Sequence, residues 1–356
     1  MKRIDDILHR FVQNGKTPSV QYLLFDQEQI IHQYKEGFAD VAKQKLSYDT
    51  TFYNAFSVTK TFTALAVLQL VEKLKIDLDK SAASYLDTFP YSEEITVRQL
   101  LSHTSGIPNP NPLAWIHPAE KHQEFDSFAF FKEIFLKNAK LKSGPNKKFA
   151  YSNLGYVLLG QLIEQVSGLK YEDYIKREVL DVLRLSRSDI AFEISEPGIL
   201  AKGYHKNVSL MNWIIGIYID KKTFRGSAEG KWQPFLPFHL NSASWGGLMG
   251  TPKAFMKYVQ ELLKEDSRLI SPKFKKLLFT ENLTNEKKAT GMCLSWFTGQ
   301  LNGETYFAHA GGGGGYYCEI RIYLDAGIGS VIMLNRSGMT DKRLLNKLDK
   351  HYFSPS

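Results

Sequence analysis

Cysteine is scarce in this sequence, since its 356 residues include only Cys293 and Cys318. Two cysteines cannot make the disulfide framework of a small secreted protein, and a chain of this length does not need one. The spacings C-x-x-C and H-E-x-x-H are absent as well, so no motif supports a metal site. We therefore expect neither a metal nor another cofactor.

Long apolar runs are also missing. The longest, residues 213–219, is far too short to span a bilayer. The basic residues near the N-terminus are followed by Asp5 and Asp6 rather than by an apolar stretch, which is not typical of a signal peptide. From the sequence we expect a cytoplasmic protein with no integral membrane segment.

No block of like charge interrupts the chain, although its net charge is +8. The lysine pairs are scattered, at residues 147–148, 221–222, 275–276 and 287–288. Scattered charge is typical of a solvated basic surface. Attraction to anionic polymers or to a membrane surface is the alternative. No nucleic-acid motif accompanies these lysines, so we expect no nucleic-acid partner.

Apolar residues make up 43% of the chain, and their periodicity changes along it. Short or alternating apolar runs predict strands near both ends, over residues 20–25, 29–34, 292–298, 305–310, 316–323 and 329–334. Helical spacing and capping residues predict helices over residues 3–14, 57–74, 153–166 and 341–351, and helix starts at Thr96, Thr251 and Ser271.

Strands at both ends with helices between them predict a single α+β domain over residues 1–356. Its α/β part is expected roughly at residues 1–56 and 285–356, and its helical part roughly at 57–284. In such a meander Cys293 and Cys318 would lie on strands that flank a shared neighbour. Their separation would then be about 10 Å, which is too far for a disulfide.

The first motif with chemical content is Ser57-Val58-Thr59-Lys60, at the start of the predicted buried helix. Residues three apart on a helix share a face, so Lys60 can hydrogen-bond the Ser57 hydroxyl. Burial lowers the pKa of a lysine and lets it accept a proton from the serine, which activates a weak nucleophile. The tetrapeptide alone is a weak signal, because it arises by chance in many chains.

The second motif is Tyr151-Ser152-Asn153, at a loop-to-helix junction. The Tyr151 hydroxyl beside a lysine ammonium would lose its proton more easily, which predicts a general base. Asn153 offers a donor and an acceptor, suited to Lys60 and to a substrate carbonyl. The structural alternatives are a core aromatic for Tyr151 and a helix N-cap for Asn153.

The third motif is His309-Ala310-Gly311, followed by glycine from 312 to 315 at the end of a predicted strand. Five consecutive glycines suit a strand end to which another group must come close. A mobile hairpin turn is the alternative interpretation.

Four segments in this order resemble the serine β-lactamase-like superfamily, and class C β-lactamases, DD-peptidases and related esterases in particular. They are FSVTK at 56–60, ITVRQLLSHTSGIP at 95–108, YSNLGY at 151–156 and SWGGL at 244–248. The resemblance runs from about residue 18 to 336. It implies a five-stranded antiparallel sheet flanked by helices, beside an all-helical region, with the site in the cleft between them.

The resemblance also implies roles for individual residues. Ser57 would be the acylated nucleophile, with Lys60 and Tyr151 as the proton-transfer pair. The N–H groups of Ser57 and Gly312 would form an oxyanion hole. The remaining predicted substrate-binding residues are Asn153, His309 and Gly311. His103, within the second segment, is expected to be a structural hydrogen-bonding residue rather than a base.

The third motif departs from the Lys-Thr-Gly, or close variant with a hydroxyl, of β-lactamases and many DD-peptidases. His309 is only partly charged near neutral pH, and Ala310 has no hydroxyl. Loss of a hydrogen bond to a charged group weakens recognition of a substrate carboxylate by about 1.5–3 kcal/mol. Some peptidase relatives use histidine with threonine, so it is the pair that favours esters or neutral amides.

An apolar stretch at 213–219, followed by Trp232, Phe235, Leu236 and Phe238, precedes the third motif. It predicts a wall or lid for an acyl chain, and a core or oligomer contact is the alternative.

The sequence thus predicts a serine hydrolase, an esterase or amidase acting on small neutral substrates. A β-lactamase or D-Ala-D-Ala carboxypeptidase is the runner-up within that class. A penicillin-binding sensor that is acylated once without turnover is the alternative from a different class. Turnover separates the sensor from the enzymes.

Overall fold

The computed structural model describes residues 1–194, 198–208, 218, 220–338 and 343–353. Apart from Tyr218, which is exposed, the apolar stretch 213–219 lies outside these residues. None of the helices within the described ranges is long and apolar enough to cross a bilayer.

Fourteen strands are present in the described residues. They are β1 Ser19–Phe25, β2 Ile30–Asp40, β3 Lys45–Leu46, β4 Tyr53–Asn54, β5 Ile116–Pro118, β6 Ile190–Ala191, β7 Tyr204–Lys206, β8 Trp232–Pro234, β9 Phe238–Leu240, β10 Met249–Gly250, β11 Phe297–Leu301, β12 Glu304–Gly313, β13 Tyr316–Tyr323 and β14 Ile328–Leu334.

One antiparallel sheet is built from both ends of the chain, in the order β11-β12-β13-β14-β1-β2-β3. The central strands β1, β13 and β14 are buried throughout, because helices cover both faces. The sheet has seven strands, so the expectation of five is wrong. The seventh strand, β3, spans only two residues, and pairs with the long β2 through Phe38 and Leu46.

The predicted strand 292–298 is also wrong, because the sheet is joined only at Phe297. Before it the chain turns: the Cys293 N–H donates to the Trp296 carbonyl, and Ser295 has a φ of 71°. Cys318 lies on β13 as predicted, and both cysteines are buried and unbridged.

The α-helices in the described residues include one long buried helix that carries the first motif. They are α1 Lys2–Gln13, α2 Thr59–Glu72, α3 Val97–Leu101, α4 Ser127–Lys137, α5 Asn153–Ser167, α6 Tyr171–Ile175, α7 Lys221–Phe224, α8 Pro252–Leu263, α9 Pro272–Leu278 and α10 Leu345–Asp349. The predicted helix 341–351 is therefore shorter, and residues 341–342 lie outside the described residues.

The helices start where the capping residues predict. Thr96 and Gln99 form a reciprocal capping box at α3. Ser152 caps α5 by accepting the Gly155 N–H, so Asn153 is the first helical residue rather than the cap. Helix α2 follows a 3₁₀ turn, Phe56–Val58, and is apolar nearly all round because it runs through the core.

The two faces of the sheet are covered by different helices. Helix α8 packs on β1, β13 and β14, on the face shared with the main apolar cluster and α2. Helices α1 and α10 cover the other face, with a smaller cluster of their own. Along β13 successive side chains alternate between these two clusters, so Ile320 and Ile322 face α8 while Tyr317 and Tyr323 face α10.

Candidate active site

Ser57 lies in the 3₁₀ turn that leads into α2, and its side chain is partly exposed. The preceding Phe56 has a φ of 45°, a left-handed conformation that costs on the order of 1–3 kcal/mol for a residue of this kind. Its ring packs against Phe238 and Tyr316, each at 6.4 Å between ring centroids. These contacts hold the strained turn in place and leave the Ser57 hydroxyl at the surface of the cleft.

Lys60 lies one turn further along α2 and is fully buried. Its Nζ is 3.0 Å from Ser57 Oγ and 2.6 Å from the carbonyl oxygen of Trp245, to which it donates. Burial holds the pKa of Lys60 well below its usual value of 10.5. The neutral amine is therefore favoured, and its lone pair can accept the Ser57 proton.

Tyr151 approaches the same serine from the loop before α5. Its hydroxyl donates to Ser57 Oγ at 3.0 Å, and its ring lies 5.1 Å from Lys60 Nζ. Burial raises the pKa of Tyr151, and its hydrogen bond with Ser57 offsets only part of that effect. The raised pKa is opposite to the easier deprotonation expected from the sequence and favours the protonated phenol, while the part that Tyr151 plays in proton transfer stays a prediction.

Tyr151 O–H and Lys60 Nζ both lie within hydrogen-bond distance of Ser57 Oγ and donate to it. Once the Lys60 amine is neutral, its lone pair can instead accept the serine proton while Tyr151 O–H still donates to Ser57 Oγ. The amine in turn donates an N–H to the Trp245 carbonyl. This arrangement prepares Ser57 to give its proton to Lys60 and keeps a second proton, that of Tyr151, beside the reacting oxygen.

His103 lies behind Tyr151 and has a structural role. Its ring is 4.1 Å from the Tyr151 ring, and its Nδ1 accepts the Ser152 N–H at 3.1 Å. Burial, with the nearby Lys60, lowers the pKa of His103 well below 6.5, so the imidazole is neutral. This agrees with the hydrogen-bonding role predicted from the sequence.

His309 is fully buried on β12 and is also neutral. Its Nδ1–H donates to the Ser295 carbonyl, and its Nε2 has no partner among the described residues. Burial, reinforced by Lys60, lowers the pKa of His309 to about 3. A partly charged imidazole at neutral pH, as expected from the sequence, is wrong. A contact of His309 with substrate stays a prediction.

Strand β12 passes so close to the nucleophile that its glycines matter. A Cβ at Gly311 would lie 2.1 Å from the Ala55 carbonyl oxygen and 2.6 Å from the Ser57 nitrogen. The next residue, Gly312, is exposed, and a Cβ there would meet only ordinary contacts. The glycines therefore bring β12 against the Ser57 turn, with Gly312 on the open side.

Asn153 does not hold Lys60. Its backbone N–H donates to Asn109 Oδ1 at 3.0 Å, while its own Oδ1 is buried without a partner among the described residues. Lys60 Nζ is instead bonded to Ser57 and to the Trp245 carbonyl. The predicted link between Asn153 and Lys60 is wrong, and its unsatisfied oxygen remains free for a ligand donor.

A cavity of about 700 Å³ opens beside these residues. Its walls are mostly aromatic and aliphatic, and include Phe56, Ile116, Phe149, Tyr151, Phe235, Phe238, Leu240, Trp245 and Phe297. Of the apolar residues singled out in the sequence, Phe235 and Phe238 line it, whereas Trp232 is buried elsewhere. Arg336 and Arg343 are the cations on its wall.

Two features of the site were missed by sequence reasoning. One is the Trp245 carbonyl, which any side chain at that position would provide, so no residue identity signals it. The other is the positive φ of Phe56, for which phenylalanine is an unusual choice. No group of histidine, cysteine, aspartate and glutamate within the described ranges is placed to hold a metal ion.

A model of the family described as Beta-lactamase matches residues 4–352. Penicillin-binding protein 4* of Bacillus subtilis (strain 168) is 32% identical over 154 residues, which are 42% of this chain and 33% of that protein. The match covers less than half of the length of the first curated relatives.

Two solved structures share the fold. The hydrolase EstCE1, described as having promiscuous acyltransferase activity, has a TM-score of 0.75 and 21% identity, covering 99% of this chain and 98% of that one. D-amino acid amidase from Ochrobactrum anthropi SV3, complexed with L-phenylalanine, has a TM-score of 0.74 and 19% identity, covering 99% and 96%. At these identities the likeness establishes the β-lactamase-like α+β architecture and no more.

Proposed function

The chain belongs to the beta-lactamase family of serine hydrolases, and from this premise we propose that it cleaves esters or amides of small neutral substrates through an acyl-enzyme on Ser57. The observation that carries the proposal is the fully buried Lys60 amine, 3.0 Å from Ser57 Oγ and bonded to the Trp245 carbonyl, in a place where burial lowers its pKa. A module that is never acylated has no need of a buried base, whereas a sensor that is acylated once would keep it, so turnover separates the sensor from the enzyme.

In the acylation step Ser57 Oγ attacks the substrate carbonyl carbon, and its proton passes to Lys60. The negative charge that develops on the carbonyl oxygen is stabilised by the N–H groups of Ser57 and Gly312. The bond to the leaving group then breaks as Tyr151 gives its proton to the departing oxygen or nitrogen, and the Lys60 ammonium returns a proton to Tyr151. Water repeats the sequence to release the acid.

The neutral substrate class is supported by what surrounds the nucleophile. His309 is uncharged and buried, Ala310 has no hydroxyl, and the adjoining cavity is largely apolar. A substrate carboxylate finds neither a cation nor a hydroxyl to bind at the third motif, whereas an apolar acyl group is stabilised by burial in the cavity. The runner-up, a β-lactamase or D-Ala-D-Ala carboxypeptidase, is favoured by one observation: Arg343 lies on the cavity wall, where a guanidinium can hold a carboxylate.

The nucleophile is tested with a fluorophosphonate. One mass increment is expected, mapped to Ser57 by peptide sequencing, and Ser57→Ala should abolish it. Undiminished labelling of Ser57→Ala would contradict the assignment. A sensor without turnover would be labelled as well, but would hydrolyse no more than one equivalent of any ester.

The substrate class is tested with a short-chain p-nitrophenyl ester against a chromogenic cephalosporin. We expect kcat/KM for the ester to be at least about 100-fold higher, or ~2.7 kcal/mol in transition-state stabilisation. His309→Lys combined with Ala310→Thr should narrow the gap by improving cephalosporin acylation. Efficient cephalosporin turnover by the unmodified protein would favour the β-lactamase alternative.

A further inference from the structure

The hydroxyl of Thr63, on α2, lies nearly two helical turns beyond Ser57 and is fully buried. Its oxygen is 2.7 Å from the Ser244 carbonyl oxygen and 2.7 Å from the Tyr171 hydroxyl. A threonine has one proton to give, and the Ser244 carbonyl can only accept. Thr63 therefore donates to Ser244, and Tyr171 O–H donates to Thr63.

The hydrogen bonds from Tyr171 through Thr63 to Ser244 end beside the hydrogen bond between Lys60 and Trp245. The carbonyls of Ser244 and Trp245 are consecutive in the 3₁₀ turn Ala243–Trp245, and the Trp245 carbonyl accepts from Lys60. The Ser244 side chain also donates to the Tyr156 carbonyl at 2.9 Å, which joins the turn to α5. The two carbonyls are separated only by the φ and ψ angles of Trp245, so a turn that holds these two angles ties the direction of one carbonyl to that of the other.

We propose that Thr63 is a positioning residue for proton transfer. By holding the Ser244 carbonyl it aims the Trp245 carbonyl at Lys60, and that carbonyl turns the lysine lone pair towards Ser57. Thr63 touches neither the substrate nor the reacting atoms, so its effect passes through the turn Ala243–Trp245. The inference rests on the proposed function, since it requires Lys60 to be the base that activates Ser57.

The carbonyl also affects the charge of Lys60, because a carbonyl that accepts from an ammonium favours the charged form. If the Trp245 carbonyl no longer points at Lys60, the pKa of Lys60 should fall further. The titratable groups that face Lys60 do not obscure this shift. His103 and His309 are held neutral by burial, and burial raises the pKa of both Tyr151 and Tyr156.

The test compares Thr63→Val, which keeps the shape and removes the hydroxyl, with Thr63→Ser, which keeps the hydroxyl. For a p-nitrophenyl ester, Thr63→Val should lose about 10- to 100-fold in kcat, as misplaced groups do, with KM within about two-fold. The acid limb of its kcat/KM profile should move to lower pH, because neutral Lys60 is the active form. Thr63→Ser should retain the kcat and the acid limb of the unmodified protein.

Tyr171→Phe provides a second variant if Thr63→Val folds poorly. It leaves the Thr63 hydroxyl in place but removes its donor, so a smaller loss in kcat and a shift of the limb in the same direction are expected. The inference is overturned if the acid limb of the kcat/KM profile stays at the same pH in Thr63→Val or Tyr171→Phe. It is also overturned if Thr63→Ser loses as much kcat as Thr63→Val.

Fluorophosphonate labelling separates failure of this inference from failure of the proposed function. If Ser57 of the unmodified protein is not labelled, the proposed function fails and the inference with it. If Ser57 is labelled equally fast in the unmodified protein and in Thr63→Val, the nucleophile stands and only the positioning role of Thr63 fails.

Discussion

Two buried polar clusters lie on opposite faces of the main sheet, and they handle charge in opposite ways. Towards α2, Lys60, His103 and His309 are fully buried or nearly so, and burial lowers the pKa of all three. Towards α10, Arg321 is equally buried, yet the carboxylates of Glu319 and Asp349 outweigh the effect of burial and raise its pKa.

The second cluster compensates its charges by pairing. Arg321 Nη2 donates to Glu319 at 2.8 Å, and Asp349 accepts from Tyr22, Tyr323 and Ser330 at 2.7–3.0 Å. The first cluster avoids charge instead. Each cluster leaves buried nitrogens without a partner among the described residues, Nε2 of His103 and His309 in the first and Nε of Arg321 in the second, so the clusters differ in how they handle charge and not in whether every nitrogen is bonded. The comparison separates a cluster that stabilises the fold from one that prepares a base.

The largest effect should come from breaking the proton-transfer pair. Lys60→Ala and Tyr151→Phe should each lower kcat by about 10²- to 10⁴-fold, the usual range for a positioned acid or base. The double variant should lose little more than the worse single one, because the two residues serve one proton-transfer sequence that fails when either is missing. Ester hydrolysis under saturating substrate measures this, and fully multiplicative losses would show that the residues act independently.

Next in size is the loss of the ionic cluster. Arg321→Met leaves two carboxylates buried without their cation and should lower the free energy of unfolding by about 3–5 kcal/mol. Lys73→Met is the matched control, since the Lys73–Glu178 pair is half-exposed and should contribute less than about 1 kcal/mol. Denaturant titration of the two variants measures the difference. Equal losses would remove the distinction between the clusters.

A smaller effect concerns acid stability. His309 is neutral in the folded state down to about pH 3, whereas in the unfolded chain it gains a proton near pH 6.5. The unfolded state therefore binds more protons between these values, and stability falls as pH falls through them. His309→Gln should reduce this slope by up to about 1.4 kcal/mol per pH unit. Unfolding curves at several acidic pH values test it, and an unchanged slope would mean that His309 is charged in the fold.

The smallest expected effect is an increase in the free energy of unfolding. Lys60→Met removes a buried amine and should stabilise the inactive protein by about 0.5–2 kcal/mol at neutral pH. In the unmodified protein the lowered pKa of Lys60 makes stability rise with pH until the unfolded lysine titrates near 10.5. The advantage of the variant should therefore shrink as the pH rises towards 10. A loss of stability at pH 7 would place Lys60 among residues that support the fold.

Much of this site follows from short motifs in the sequence. Ser57 and Lys60 are three apart on one helix, and the helical period alone predicts their contact. Tyr151 is 94 positions away, and only the resemblance to a known family placed it beside Ser57, where its hydroxyl lies at 3.0 Å. The sheet built from both chain ends was likewise visible in the change of apolar periodicity.

The remainder depends on tertiary surroundings that periodicity does not carry. His309 is neutral because β12 lies inside the core, and residue type alone predicts only partial charge. The sequence could not predict that the Trp245 carbonyl bonds Lys60, because backbone groups are the same at every position. The start of β11 was misplaced because Ser295 adopts a positive φ, which serine seldom does, and the apolar residues around it continue the strand pattern.

The pairing of the first strand with the last has a consequence for how the chain reaches this fold. Ser19 on β1 donates to Asn335, which lies 316 positions further along, and β1 and β14 are neighbours at the centre of the sheet. During synthesis β1 waits for its partner on the order of tens of seconds, at typical elongation rates. Throughout that interval a strand that the finished fold buries along its whole length has one unpaired edge, which can pair with another nascent chain. Because long-range strand pairing is slow to form, we expect aggregation to compete with closure of this central ladder rather than with formation of α2.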